Sequence, residues 1–132
     1  MKRLIFSLIV LAALFTACET PLSKSELIST DPWKLSGVST TDGDQDLAEL
    51  LEAVLSIATL SYDAGGTYSF AFPDSTFEDI NGTWNFNSDE TQITLSEPGE
   101  EDLVYTILTL TEETLSYSFT DSTGTYTETY IH

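Results

Sequence analysis

The sequence predicts a mainly β fold: eight antiparallel strands in up-and-down order, closed into a barrel, with one amphipathic helix between strands 1 and 2. Three observations carry this expectation. Beyond residue 32, apolar and polar residues alternate with period two in run after run. Turn-forming residues separate those runs at short intervals, which suits hairpins rather than long crossovers. A single segment switches from the strand period to the helical one.

In the first strand, Trp33 and Leu35 alternate with Lys34 and Ser36. The helix follows: Leu47, Leu50, Leu51, Val54, Leu55 and Ala58 fall at i, i+3, i+4, i+7, i+8 and i+11 and make one apolar stripe. Asp46 with Glu49 fits a helix cap, and Asp44 and Asp46 suit the positive end of the helix dipole. The helix is expected to end near Ser56 and hand over to a strand around Ile57 to Tyr62. Asp63-Ala64-Gly65-Gly66 then turns the chain into Thr67–Phe72, where Tyr68, Phe70 and Phe72 share a face. Asn81-Gly82 reads as the next turn. Trp84 and Phe86 follow it, then Asn87-Ser88-Asp89, then Ile93 and Leu95. Glu97-Pro98-Gly99 precedes the run Leu103 to Leu110, which is apolar on both faces and reads as a central or doubly covered strand. After Glu112-Glu113 come Leu115, Tyr117 and Phe119, then the turn from Asp121 to Gly124. The last strand, Thr125 to Ile131, is ambiguous, because Tyr126 and Tyr130 share a face with Glu128. Eight strands can close on themselves and so remove exposed edges. The helix would then either cap a barrel mouth or pack outside the sheet.

The N-terminus carries a different signal. Lys2 and Arg3 precede an uncharged, almost wholly apolar run from Leu4 to Phe15. That run is the length of a signal-peptide core and short of the roughly 20 residues a bilayer span needs. Leu14-Phe15-Thr16-Ala17-Cys18 resembles the lipobox of bacterial lipoproteins, with Phe15 where leucine is commonest. The resemblance implies that Cys18 is lipidated and becomes the mature N-terminus. Residues 1–17 are thus expected to be a signal peptide, 18–31 an acylated N-terminus with a flexible tether, and 32–132 one domain. Two or more acyl chains hold a protein stably where one does not. Glu19 rather than aspartate after the cysteine favours the outer membrane by resemblance to known sorting rules. The expected location is therefore the cell envelope.

Charge sets the exclusions. The chain has 22 acidic and 4 basic residues, for a formal charge of −18. Every acidic residue follows Cys18, where only Lys24 and Lys34 stand against them. Such a surface repels phosphate backbones, which excludes nucleic acid. It also leaves membrane attachment to the acyl chains. A hydrophobic fraction of 41% argues for a folded core rather than disorder. One cysteine allows no internal disulfide.

Catalytic chemistry finds little support. The one histidine, His132, is the last residue, where a frayed terminus is expected rather than a positioned base. Clusters of His and Cys that would hold zinc or iron are missing. Asp42, Asp44 and Asp46 form a weak calcium candidate, but Leu47 replaces the loop glycine and Ala53 the bidentate glutamate. Asp74-Ser75-Thr76 and Asp121-Ser122-Thr123 resemble an O-glycosylation signal and read equally as turns. No cofactor is expected. The aromatic set Trp33, Tyr68, Phe70, Phe72, Trp84, Phe86, Tyr105, Tyr117, Phe119 and Tyr126 would either fill the barrel or line a ligand cavity.

Pro32-Trp33-Lys34-Leu35, Gly82-Thr83-Trp84-Asn85-Phe86, Ile93-Thr94-Leu95 and Tyr105-Thr106-Ile107, with Leu110 and Leu115, resemble the lipocalin-like domains of many lipoproteins of Gram-negative bacteria. The resemblance spans roughly Trp33 to the C-terminus. It departs from true lipocalins at the first strand, where Gly37 follows Trp33 instead of preceding it as in G-x-W. It implies an eight-stranded lipocalin-like barrel and little about activity, since fold does not fix function. Two expectations follow. One is a non-enzymatic, membrane-anchored protein binding a small apolar ligand in its barrel. The other is an interaction protein presenting its acidic surface to a basic partner in the envelope.

Overall fold

The computed structural model describes residues 19–75 and 77–132. The expected signal peptide, Cys18 and Thr76 lie outside the described residues. The elements in chain order are α1 (Lys24–Ser29), β1 (Lys34–Thr40), α2 (Gln45–Leu55), β2 (Thr59–Tyr62), β3 (Thr67–Ala71), β4 (Ile80–Phe86), β5 (Gln92–Ser96), β6 (Leu103–Leu110), β7 (Thr114–Asp121) and β8 (Gly124–Ile131). Every strand pairing is antiparallel, and the sheet order is β1-β8-β7-β6-β5-β4-β3-β2.

The backbones of the two edge strands pair at one point, just before β1, and Lys34 Nζ of β1 also donates to Thr59 Oγ1 of β2. Trp33 and Leu60 form a bridge, with Trp33 N donating to Leu60 O at 2.7 Å and Leu60 N to Trp33 O at 3.0 Å. The sheet is thus a nearly closed barrel. Register shifts in β1 between Leu35 and Gly37, and in β6 between Ile107 and Thr109, bend the sheet toward closure.

Alternation translates into sidedness. Leu60, Tyr62, Tyr68, Phe70, Trp84, Ile93, Leu95, Tyr105, Leu115, Tyr117, Tyr126 and Tyr130 are buried, while their strand neighbours face solvent or are partly covered. Burying a large apolar side chain contributes about 1.5–3 kcal/mol, so this inward face dominates stability. Asn81-Gly82 is not a turn: both residues lie inside β4, paired with Ser69 and Tyr68. A Cβ at Gly82 would run into the Ser96 carbonyl and, at 2.7 Å, the Tyr68 ring, so glycine serves close approach there. The expected double cover of β6 is also corrected. Val104 and Leu108 are 49% and 56% exposed, so one face of that strand is open to solvent.

The two helices close opposite ends of the barrel. Part of the segment expected to be a flexible tether is α1. Ser23 and Glu26 form a capping box, and Ile28 is fully buried in the core. The Trp33 indole donates to Ile28 O at 2.9 Å and Lys24 Nζ to Glu90 O at 2.6 Å, so α1 lies across the end that holds the β4–β5 turn. His132 is not frayed: its ring stacks on Trp33 at 3.8 Å and its Nδ1 sits 3.1 Å from Pro32 O.

At the other end, the cap of α2 lies two residues earlier than expected. Asp44 is the N-cap, accepting from Asp46 N at 2.9 Å and Leu47 N at 3.4 Å. Asp44 N in turn donates to the Tyr126 hydroxyl at 2.8 Å. Val38 N donates to Glu52 Oε2 at 3.1 Å, tying the helix to β1. These bonds hold α2 across the mouth, with Leu51 and Leu55 directed into the barrel and Leu50 left 59% exposed.

Candidate ligand-binding cavity

Under α2 the barrel is not filled. A cavity of about 210 Å³ is bounded by Leu51 and Leu55 of α2, Tyr68 and Phe70 of β3, Ile80 of β4, Leu95 of β5, Leu103 and Tyr105 of β6, Phe119 of β7 and Glu128 of β8, with Glu97 at its rim. Its walls are overwhelmingly apolar. Other depressions, such as one beside Ser61, Asp63 and Asn81 and one beside Glu100 and Glu101, lie open on the surface.

The aromatic residues singled out from sequence divide between this space and the packed remainder. Tyr68, Phe70, Tyr105 and Phe119 line the cavity. Trp33, Trp84 and Tyr117 belong to the solid core, while Phe72 and Phe86 pack partly buried against it. Tyr126 is fully buried and stacks on Phe119 at 5.3 Å. Its hydroxyl is 2.6 Å from Thr123 Oγ1, which fastens the β7–β8 turn to the start of α2. Alternation thus found the inward face but could not say where along the barrel that face is full. The helix residues Leu51 and Leu55, with Ile80, Leu95, Leu103 and the acid Glu128, were not among the residues expected to line a cavity. The sequence clue to Glu128 was its shared face with Tyr126 and Tyr130.

The aspartates of the calcium candidate serve local structure. Asp44 caps α2, Asp46 lies in its first turn, and Asp42 Oδ1 accepts from Thr125 N at 3.0 Å. Among the described residues, no group of three or more His, Cys, Asp or Glu side chains stands together as a metal site. Asp121 likewise serves its turn, accepting from Thr123 N at 2.7 Å and Gly124 N at 3.2 Å.

Electrostatics inside the barrel centre on Glu128, which is 2% exposed. Burial pushes its carboxyl up to about 7, although the hydrogen bond from Tyr130 works the other way. Around it the phenols of Tyr105, Tyr117 and Tyr130 are held well above their ordinary value, first by burial and further by neighbouring charge and phenols. Tyr68 is pushed up to about 12 by burial and by Glu97, to which it donates at 3.3 Å. The Tyr62 and Tyr117 hydroxyls lie 3.2 Å apart and partner each other. All these phenols stay protonated near neutral pH, and Tyr68 and Tyr130 donate to Glu97 and Glu128.

A family model described as a lipocalin-like domain matches residues 31–117. The chain belongs to the lipocalin-like domain family. The match runs from just before β1 into β7, so β8 and Glu128 lie beyond it. No curated protein matches the chain. Lipocalin-like barrels are binding folds rather than typical catalytic ones, and eight strands leave room for one small ligand.

Proposed function

We propose that this protein is a lipid-anchored, non-enzymatic binding protein of the cell envelope that holds one small, largely apolar molecule beneath α2. The observation that carries this reading is the cavity of about 210 Å³ walled by Leu51, Leu55, Phe70, Leu95 and Phe119. An apolar cavity of about 150 Å³ already suffices to hold benzene. A single ring or a short chain therefore fits without rearrangement of the barrel.

The anchor is Cys18, supported by the basic start, the apolar core and the lipobox-like segment. Pro21 and Leu22 run beside Glu112 of the β6–β7 turn, at the end of the barrel covered by α1. The cavity rim at Glu97 and Leu103 flanks the β5–β6 turn at the other end. A lipid on Cys18 would thus hold the mouth away from the bilayer, and the ligand would come from the aqueous side. The outer membrane is the favoured site, following the residue after the cysteine.

Titration of the isotope-labelled protein with toluene, followed by NMR, tests the cavity reading. Saturable shifts should gather on Phe70, Leu95, Tyr105 and Phe119 and vanish in Leu51→Trp. Diffuse, unsaturating shifts would refute it. Radiolabelled palmitate should enter the wild-type protein and not Cys18→Ser; equal labelling would remove the anchor from the account.

A further inference from the structure

A carboxylate in an apolar barrel is the feature that ligand-free packing explains least. Glu128 stands on β8 between Tyr126 and Tyr130, both inward-facing, and opposite Tyr117 of β7. Other titratable groups near it are Tyr105 of β6 and Tyr62 of β2, with Glu97 across the cavity at the rim. The strand that pairs on its other side contributes the uncharged Val38. No Lys, Arg or His is among the residues lining the cavity.

Tyr130 alone among the described residues donates to this carboxylate, and only to Oε2. No sealed-off side-chain nitrogen or oxygen lacks a partner among the described residues. Oε1, which no described donor reaches, therefore opens onto the cavity that Glu128 lines. A buried acid with one donor and no counter-ion destabilises the fold, and an uncharged side chain would satisfy Tyr130 equally well. Proteins keep such costly groups where binding uses them.

The mouth is charged in the same sense. Glu97 stands on the rim, and Glu100 and Glu101 follow in the β5–β6 turn beside Leu103. An acidic opening over low-dielectric walls concentrates cations and repels anions. Aromatic faces of Tyr105, Phe119 and Tyr68 inside offer further attraction to a cation.

We propose that the cavity takes a small organic cation, an ammonium group on a single ring or short alkyl chain, with the ammonium donating to Glu128 Oε1 and the body among Leu51, Leu95 and Phe119. This inference rests on the cavity reading above and adds the chemical class of its occupant. The protein supplies the anion, and the ligand supplies the missing counter-ion and donor.

Calorimetry of the whole chain at pH 8 and 0.15 M salt, which screens attraction to surface acids, tests it with benzylamine, toluene and benzoate as probes. Benzylamine should bind tightest, toluene weakly and benzoate not at all, and saturating toluene should displace benzylamine. Glu128→Gln should weaken benzylamine roughly 10- to 100-fold, the scale of a charged hydrogen bond, and toluene far less, while a thermal midpoint no lower than wild type shows that the variant folds. As pH falls below about 7, Glu128 takes up a proton and benzylamine should weaken while toluene does not. Benzylamine and toluene binding alike, with Glu128→Gln affecting neither, overturns the cation assignment and spares the cavity. Benzoate binding as well as benzylamine overturns it too, without recourse to any variant. No probe binding at all overturns both.

Discussion

The Tyr130 hydroxyl donates to Glu128 Oε2 across 2.7 Å, two residues apart on one strand and both inside the barrel. This pair puts a negative charge where the rest of the inward face is apolar or phenolic. The stability and titration of the barrel interior depend on it, and the proposed binding chemistry does too.

Stability should fall as pH rises through the Glu128 window. Its carboxyl titrates near 4.5 when unfolded and about 7 when folded, so the native state binds more protons between those values. The contribution is fully favourable below about pH 4.5, is lost progressively up to about 7, and then levels off. The loss is about 3 kcal/mol. Urea unfolding of wild type and Glu128→Gln at pH 5 and pH 8 checks this. The variant should be the more stable at pH 8, and the difference should shrink at pH 5.

Tyr130→Phe removes the one donor to Glu128 among the described residues and should move the carboxyl further up, because that hydrogen bond favours the charged form. At pH 8 the change should cost about 1–3 kcal/mol. Carbon-13 NMR of the Glu128 carboxyl across pH 5–9 reads the shift directly.

Leu51→Trp should fill the cavity from the helix side. Toluene binding should disappear while the thermal midpoint stays near wild type, because the added ring occupies space that is already empty. A large loss of stability would mean that α2 lies tight on the barrel with no room beneath it.

Trp33→Ala attacks the seam. Trp33 is fully buried, bridges Leu60, bonds Ile28 O and carries the His132 ring. The loss should be about 3–5 kcal/mol. Hydrogen exchange should accelerate first in β1 and β2, whose backbones pair with each other, among the described residues, at this bridge alone.

The strands were legible because Tyr68 and Phe70, Ile93 and Leu95, and Leu115 and Tyr117 keep strict period two on a sheet with one wet face. The α2 stripe was equally plain, yet the same stripe serves a helix over a mouth or against an outer face; only the bonds from Asp44 to Tyr126 and from Val38 to Glu52 decide between them. Asn81-Gly82 was misread because glycine can permit either a tight turn or a close approach, and here it permits the second. Helix α1 escaped notice because it buries a single apolar residue fully, Ile28, although Ser23 and Glu26 carried a capping-box spacing. Glu128 defied a reading by polarity, since an acid on an inward face breaks the pattern that finds the face.

Native mass spectrometry of the protein recovered without denaturation from cells that make it reads whether the cavity carries a ligand. A reproducible small adduct is expected on the wild-type chain, lost on denaturation and absent from Leu51→Trp. A bare chain mass in both proteins would contradict it.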